Sequence, residues 1–70
     1  MSKTSLIWRA KNKELISCNE KIKILNENFD ELQLLIQSVI DDAVIIGCDE
    51  KDIKKKISNL LKSIHFSYKK

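Results

Sequence analysis

Residues 8–46 read WRAKNKELISCNEKIKILNENFDELQLLIQSVIDDAVII, and this stretch decides the predicted fold. Two series of positions, one starting at Trp8 and one at Lys11, repeat every seven residues through it, and only Lys11 among them is not apolar. Such a repeat keeps one stripe of a helix turned toward a neighbouring helix, so it predicts a long helix with a coiled-coil seam. The apolar seam positions, which we predict to form a dimer interface, are Trp8, Leu15, Cys18, Ile22, Leu25, Phe29, Leu32, Ile36, Val39, Ala43 and Ile46.

The composition favours an all-α protein. The chain has 70 residues, no proline, one glycine and 33% charged side chains, which is typical of helical proteins and not of sheets or disordered tails. A chain this short removes only about 60% of its unfolded surface from water when it folds alone. We therefore predict a single domain over residues 1–70 that is stabilised by oligomerisation or by very regular helix packing.

A glycine and an aspartate divide the chain into two helices. Gly47 follows the last apolar residue of the long helix, where a residue without Cβ can end a helix, and Asp49 is suited to cap a new one. The sequence predicts a long helix over about 5–46, a turn at Gly47 and a second helix over about 49–66, packed as an antiparallel hairpin. The predicted hairpin core comprises Leu35, Ile40, Ile53, Ile57, Leu60, Leu61 and Ile64.

The charges lie in blocks that constrain assembly. Residues 1–25 carry six basic and two acidic side chains, residues 26–46 five acidic and no basic ones, and residues 47–70 seven basic and three acidic ones. Two long helices paired antiparallel would lay basic halves along acidic halves, whereas a parallel pair would stack like charges. We therefore expect an antiparallel homodimer of hairpins that resembles a four-helix bundle. The expected seam pairs, each with the partner's residue second, are Trp8 with Ile46, Leu15 with Val39, Ile22 with Leu32, and Phe29 with Leu25.

A surplus of apolar residues indicates a protein-interaction function. Trp8 has two interpretations: a core aromatic that closes one end of the bundle, or part of an exposed tip that binds a partner, since tryptophan is frequent in interaction hot spots. We predict a small regulatory adaptor, antirepressor-like or chaperone-like, that dimerises and captures a partner protein on an apolar helical face. The candidate partner face comprises Leu6, Ile7, Trp8, Ile16 and Ile24.

Binding of nucleic acid is the alternative function. The sequence pI is about 9.0 and the second helix is rich in lysine, which suits contact with phosphates. The single arginine, Arg9, lies far from this helix, so readout of base edges has little support. The candidate phosphate contacts are Lys51, Lys54, Lys55, Lys56 and Lys62.

Catalysis and metal binding find no pattern in the sequence. His65 is the only histidine and has no nucleophile or carboxylate at dyad spacing. The carboxylates on either side of Gly47 do not match a calcium loop, and Cys18 and Cys48 are too few for a zinc site or a disulfide framework. We expect a non-enzymatic, cytoplasmic protein with no cofactor, no metal and no membrane span.

Residues 39–62 carry a resemblance to a known class. They comprise an apolar helical segment, the turn GCDEKDI and a second amphipathic segment. This arrangement resembles the hairpins of small bacterial antirepressors, which sequester a repressor by exchanging dimerisation hairpins. The whole chain is also similar in design to small chaperones and adaptors of bacterial secretion and stress-response systems. The resemblance implies a regulatory protein that acts by binding another protein.

Overall fold

A computed structural model describes residues 6–67 and contains two α-helices, α1 (Asn19–Ile46) and α2 (Glu50–Ser63). Within residues 6–67 no strand is present, and one isolated β-bridge joins Arg9 and Leu15. The chain separates into two compact units, residues 1–36 and residues 37–70, and the boundary falls inside α1. The prediction of an all-α protein with two helices joined at Gly47 is confirmed.

The first helix is shorter than predicted. We placed its start near residue 5, which lies outside the described residues, but residues 6–18 are not helical. They fold back on themselves instead: Lys13 N–H donates to Ala10 O at 2.9 Å, Ala10 N–H to Glu14 O at 2.8 Å, and Ile16 N–H to Trp8 O at 2.9 Å. The helical seam therefore does not extend to Trp8 or Leu15. The expected pairing of these two residues in helical layers with a partner's Ile46 and Val39 is wrong.

Local chemistry explains why the helix begins late. Ile16, Ser17, Cys18 and Asn19 all belong to the weaker helix formers. Asn12 Oδ1 accepts a hydrogen bond from the Glu14 N–H at 3.1 Å, which is a turn that competes with helix. These preferences oppose a helix through residues 12–19, and a sevenfold apolar repeat does not overcome them.

Unit 1 is held by a contact between its N-terminal segment and α1. The Trp8 Nε1–H donates a hydrogen bond of 2.7 Å to Asn26 Oδ1. The Trp8 ring meets Phe29 edge-on, with centroids 5.7 Å apart and planes 76° apart, a favourable aromatic arrangement. Trp8 is thus half-buried against α1 of its own chain.

The turn in unit 2 follows the predicted chemistry. Gly47 has φ +119°, its N–H donates to Val44 O at 3.0 Å, and the Cys48 N–H donates to Ala43 O at 2.8 Å. This is the Schellman pattern that closes a helix on a glycine. Asp49 then caps α2, since its Oδ2 accepts a hydrogen bond of 3.2 Å from the Asp52 N–H.

The second helix ends three residues before its predicted end at residue 66. Ser63 Oγ donates to Leu60 O at 2.7 Å, and Ile64 has ψ 127°, an extended conformation that terminates the helix. Such bonding from a serine to the backbone three residues earlier competes with helix continuation.

Burial is shallow in both units. No residue among 6–67 is fully buried, hydrophobic or polar. The half-buried apolar positions of unit 2 are Ile40 and Ala43 on α1 and Ile53 and Ile57 on α2. These lie on one face of each helix, as expected for a helical hairpin.

Candidate protein-interaction surface

Unit 2 exposes much of its predicted hairpin core. Ile40, Ile53 and Ile57 are half-buried, but Leu60, Leu61 and Ile64 continue the same stripe of α2 and are 60%, 68% and 61% exposed. A contiguous row of large apolar side chains on the surface marks a binding site more often than single scattered apolar residues do. The C-terminal half of α2 therefore presents an uncovered apolar face.

The end of α1 adds a second exposed apolar patch. Ile45 and Ile46 are 82% and 85% exposed, immediately before the turn at Gly47. Val44 and Ile45 also line an open groove of about 350 Å³ together with polar residues of the same unit. The full lining of this groove is Gln37, Ile40, Asp41, Val44, Ile45 and Glu50.

The seam residues divide by unit. In unit 1, Trp8, Ile22, Leu25 and Ile36 are half-buried, whereas the other predicted seam positions are exposed. In unit 2, Ala43 is half-buried and Ile46 is bare. The role of these residues in a dimer stays a prediction. The other exposed seam positions are Leu15, Cys18, Phe29, Leu32 and Val39.

The candidate partner face of unit 1 is not continuous. Leu6, Ile7 and Ile24 are 46%, 75% and 57% exposed, but Ile16 is half-buried. Trp8 is engaged with Asn26 and Phe29 of its own chain, so its ring is part of the packing of unit 1. This contact favours the interpretation of Trp8 as a packing aromatic.

The lysines of α2 fall into two groups. Lys54 pairs with Glu50 at 3.1 Å and Lys56 with Asp52 at 2.8 Å, each one helical turn apart. The hydrogen bond to Asp52 also raises the pKa of Lys56. Exposed pairs of this kind contribute little to stability.

The remaining lysines of α2 form an open basic line. Lys51, Lys55 and Lys62 are spaced by four and seven residues, which places them on one side of the helix, away from Ile53 and Ile57. They make no ion pair with any described residue. We call these three residues the lysine line.

Cys18 has surroundings that the sequence did not suggest. We predicted a seam thiol among apolar neighbours, but Cys18 is exposed and directly precedes α1. The backbone N–H groups of Lys21 and Glu20 donate to its sulfur and lower the pKa of the thiol. A low thiol pKa at a helix N-terminus makes the cysteine more reactive.

Several of these features had a signal in the sequence. Ser17 followed by Glu20 is the spacing of a capping box, which marks a helix start close to the observed one at Asn19. Asn12 indicates the turn that precedes it. The acceptor role of Asn26 toward Trp8 had no local signal, because the two residues lie 18 positions apart.

A metal-binding cluster is not found in the described part of the chain. Residues 6–67 hold no group of three or more histidine, cysteine, aspartate or glutamate side chains that could bind a metal ion. Asp41 accepts a hydrogen bond of 3.0 Å from Gln37 Nε2, and His65 is exposed. Neither described helix has the length and apolar content needed to cross a bilayer.

Comparison with known proteins assigns no relative. No family model, curated protein or solved structure matches this chain. The class that the fold and surface define is therefore a small all-α protein with two helices and exposed apolar faces.

Proposed function

We propose that this protein is a small, non-enzymatic interaction module that self-associates and captures a partner protein on an apolar helical face. The observation that supports it most is the absence of any fully buried residue among 6–67 together with Ile46 at 85% exposure. A folded chain gains most of its stability from buried apolar surface, so a chain that buries so little needs a partner to cover it.

The free thiols of Cys18 and Cys48 agree with a cytoplasmic module, since thiols persist in reducing compartments. The proposal therefore describes a cytoplasmic adaptor that acts by contact and carries out no chemistry. The resemblance of residues 39–62 to antirepressor hairpins points in the same direction.

The test is an affinity capture from the native host with the full chain and two matched variants. Ile7→Ser combined with Ile24→Ser removes two exposed apolar side chains of the candidate partner face of unit 1, and Lys55→Ser changes an exposed polar position of α2. We expect the wild type and Lys55→Ser to retain the same protein, identified by mass spectrometry, and the double variant to lose it. Trp8→Ala is unsuitable here because Trp8 packs against Phe29 within the chain.

Repeating the affinity capture at raised salt gives a second measurement. Apolar capture weakens little as salt rises, whereas phosphate binding falls steeply. An identical set of retained proteins for wild type and double variant would contradict the proposal.

Nucleic-acid association is the second candidate, and the lysine line favours it. Three lysines on one side of a helix that form no ion pair with described residues can neutralise about three phosphates. Each neutralised phosphate adds about −0.9 to the slope of the logarithm of the binding constant against the logarithm of the salt concentration. Anisotropy of labelled duplex DNA and single-stranded RNA tests this. Lys51→Gln, Lys55→Gln and Lys62→Gln together should abolish binding, whereas Lys54→Gln with Lys56→Gln should change it less. Salt-insensitive or absent binding by the wild type would exclude this candidate.

A further inference from the structure

The exposed apolar side chains of unit 2 lie at its two ends. Ile45 and Ile46 directly precede the turn, and Leu60, Leu61 and Ile64 lie at the C-terminal end of α2. At 1.5 Å per residue, the centre of the second group is roughly 18 Å along α2 from its start. We call residues 41–52 the turn end and residues 57–67 the far end.

The two ends also differ in charge. The turn end carries five acidic residues and Lys51, and the far end carries Lys62 with no acidic residue. Glu50 and Asp52 are engaged by Lys54 and Lys56, which leaves the other three carboxylates of the turn end outside any ion pair with described residues. The unit is therefore acidic at one end and basic at the other.

The apolar patches and the opposite charges at the two ends of unit 2 allow two copies of the chain to complement each other. If two copies lie antiparallel, the turn end of each meets the far end of the other, so acidic meets basic and both apolar patches are covered at once. A parallel arrangement would bring the acidic turn ends together. In a twofold dimer the contact between the turn end and the far end occurs twice, so each copy contributes both of its apolar patches.

We infer that the occupant of the exposed apolar surface of unit 2 is a second copy of this chain, docked antiparallel with the turn end of each copy on the far end of the other. This inference rests on the proposed function and specifies its self-association. It replaces the seam pairing through Trp8 and Leu15, which the fold of residues 6–18 contradicts.

Cysteine cross-linking of the full chain tests the arrangement. In a Cys18→Ser, Cys48→Ser background, Ile46→Cys chains mixed with Leu61→Cys chains should form a disulfide dimer rapidly. Chains with Ile46→Cys alone should cross-link far more slowly, and so should Ile46→Cys mixed with Lys55→Cys, since Lys55 lies on the lysine line. Equal yields for all three mixtures, or fastest cross-linking of Ile46→Cys with itself, would overturn the antiparallel assignment.

Sedimentation of the native chain gives the independent measurement. We expect a dimeric mass at micromolar concentration, a dissociation constant raised about tenfold or more by Leu61→Asp, and little change for Lys55→Asp. Circular dichroism checks that both variants keep their helices. A wild type that is monomeric yet still captures a partner protein through Ile7 and Ile24 would overturn this inference and leave the partner-capture part of the proposed function standing. A wild type that is dimeric yet captures no protein would support this inference and contradict partner capture.

Discussion

At the scale of single residues, two positions with positive φ have opposite expected responses to substitution. Gly47 has φ +119° and open space around an added Cβ, so Gly47→Ala should destabilise the fold by about 1–3 kcal/mol through backbone strain alone. Lys13 has φ 74°, and Lys13→Gly should relieve about 1 kcal/mol of the same kind of strain. Urea denaturation of both variants measures the two changes in the free energy of unfolding. A neutral Gly47→Ala would contradict the assigned turn.

Cys18 should react as an activated thiol. The hydrogen bonds from Lys21 N–H and Glu20 N–H favour the thiolate, so the pKa of Cys18 in the folded chain lies below that in the unfolded chain. In a Cys48→Ser background, the rate of alkylation by iodoacetamide should therefore begin to fall at a lower pH in the native protein than in denaturant. The associated stabilisation of α1 is complete above the unfolded pKa and is lost as pH falls through the folded one. Identical rate profiles in both states would refute this.

At the scale of the helices, α2 should depend on its cap. Asp49 Oδ2 accepts from Asp52 N–H, and loss of such a cap costs about 1 kcal/mol. Asp49→Ala should lower the free energy of unfolding by this amount and speed hydrogen exchange at the Asp52 amide. Asp49→Asn retains a side-chain acceptor and serves as the control. If both variants exchange equally fast at Asp52, the cap is not the cause.

At the scale of the whole molecule, stability should depend on protein concentration. No residue among 6–67 is fully buried, and under the proposed self-association a second copy supplies a large share of the buried apolar surface. The melting temperature of the wild type should rise over about a hundredfold increase in concentration, because mass action favours the associated folded state. Leu61→Asp should melt lower and with less concentration dependence. A melting temperature that is constant in the wild type would show that the isolated chain is stable by itself.

Prediction from sequence succeeded for unit 2 where the signals are local. Gly47 ends α1 because it lacks a Cβ, and Asp49 starts α2 because its carboxylate reaches the Asp52 N–H, three residues away. The periodic apolar positions predicted seven hairpin-core residues, of which Ile40, Ile53 and Ile57 are half-buried, whereas Leu35, Leu60, Leu61 and Ile64 are exposed. The turn and the cap depend only on residues a few positions away.

The amino-acid sequence by itself determined two helices, their junction and the faces that carry apolar side chains, because propensity, capping and periodicity act within one or two turns. Only the tertiary structure decided the fate of residues 6–18 and which apolar residues stay exposed. Trp8 fits a sevenfold repeat, yet its contacts are with Asn26 and Phe29, 18 and 21 positions along the chain. A repeat records the spacing of apolar groups, whereas the packing of distant segments selects which of them are covered.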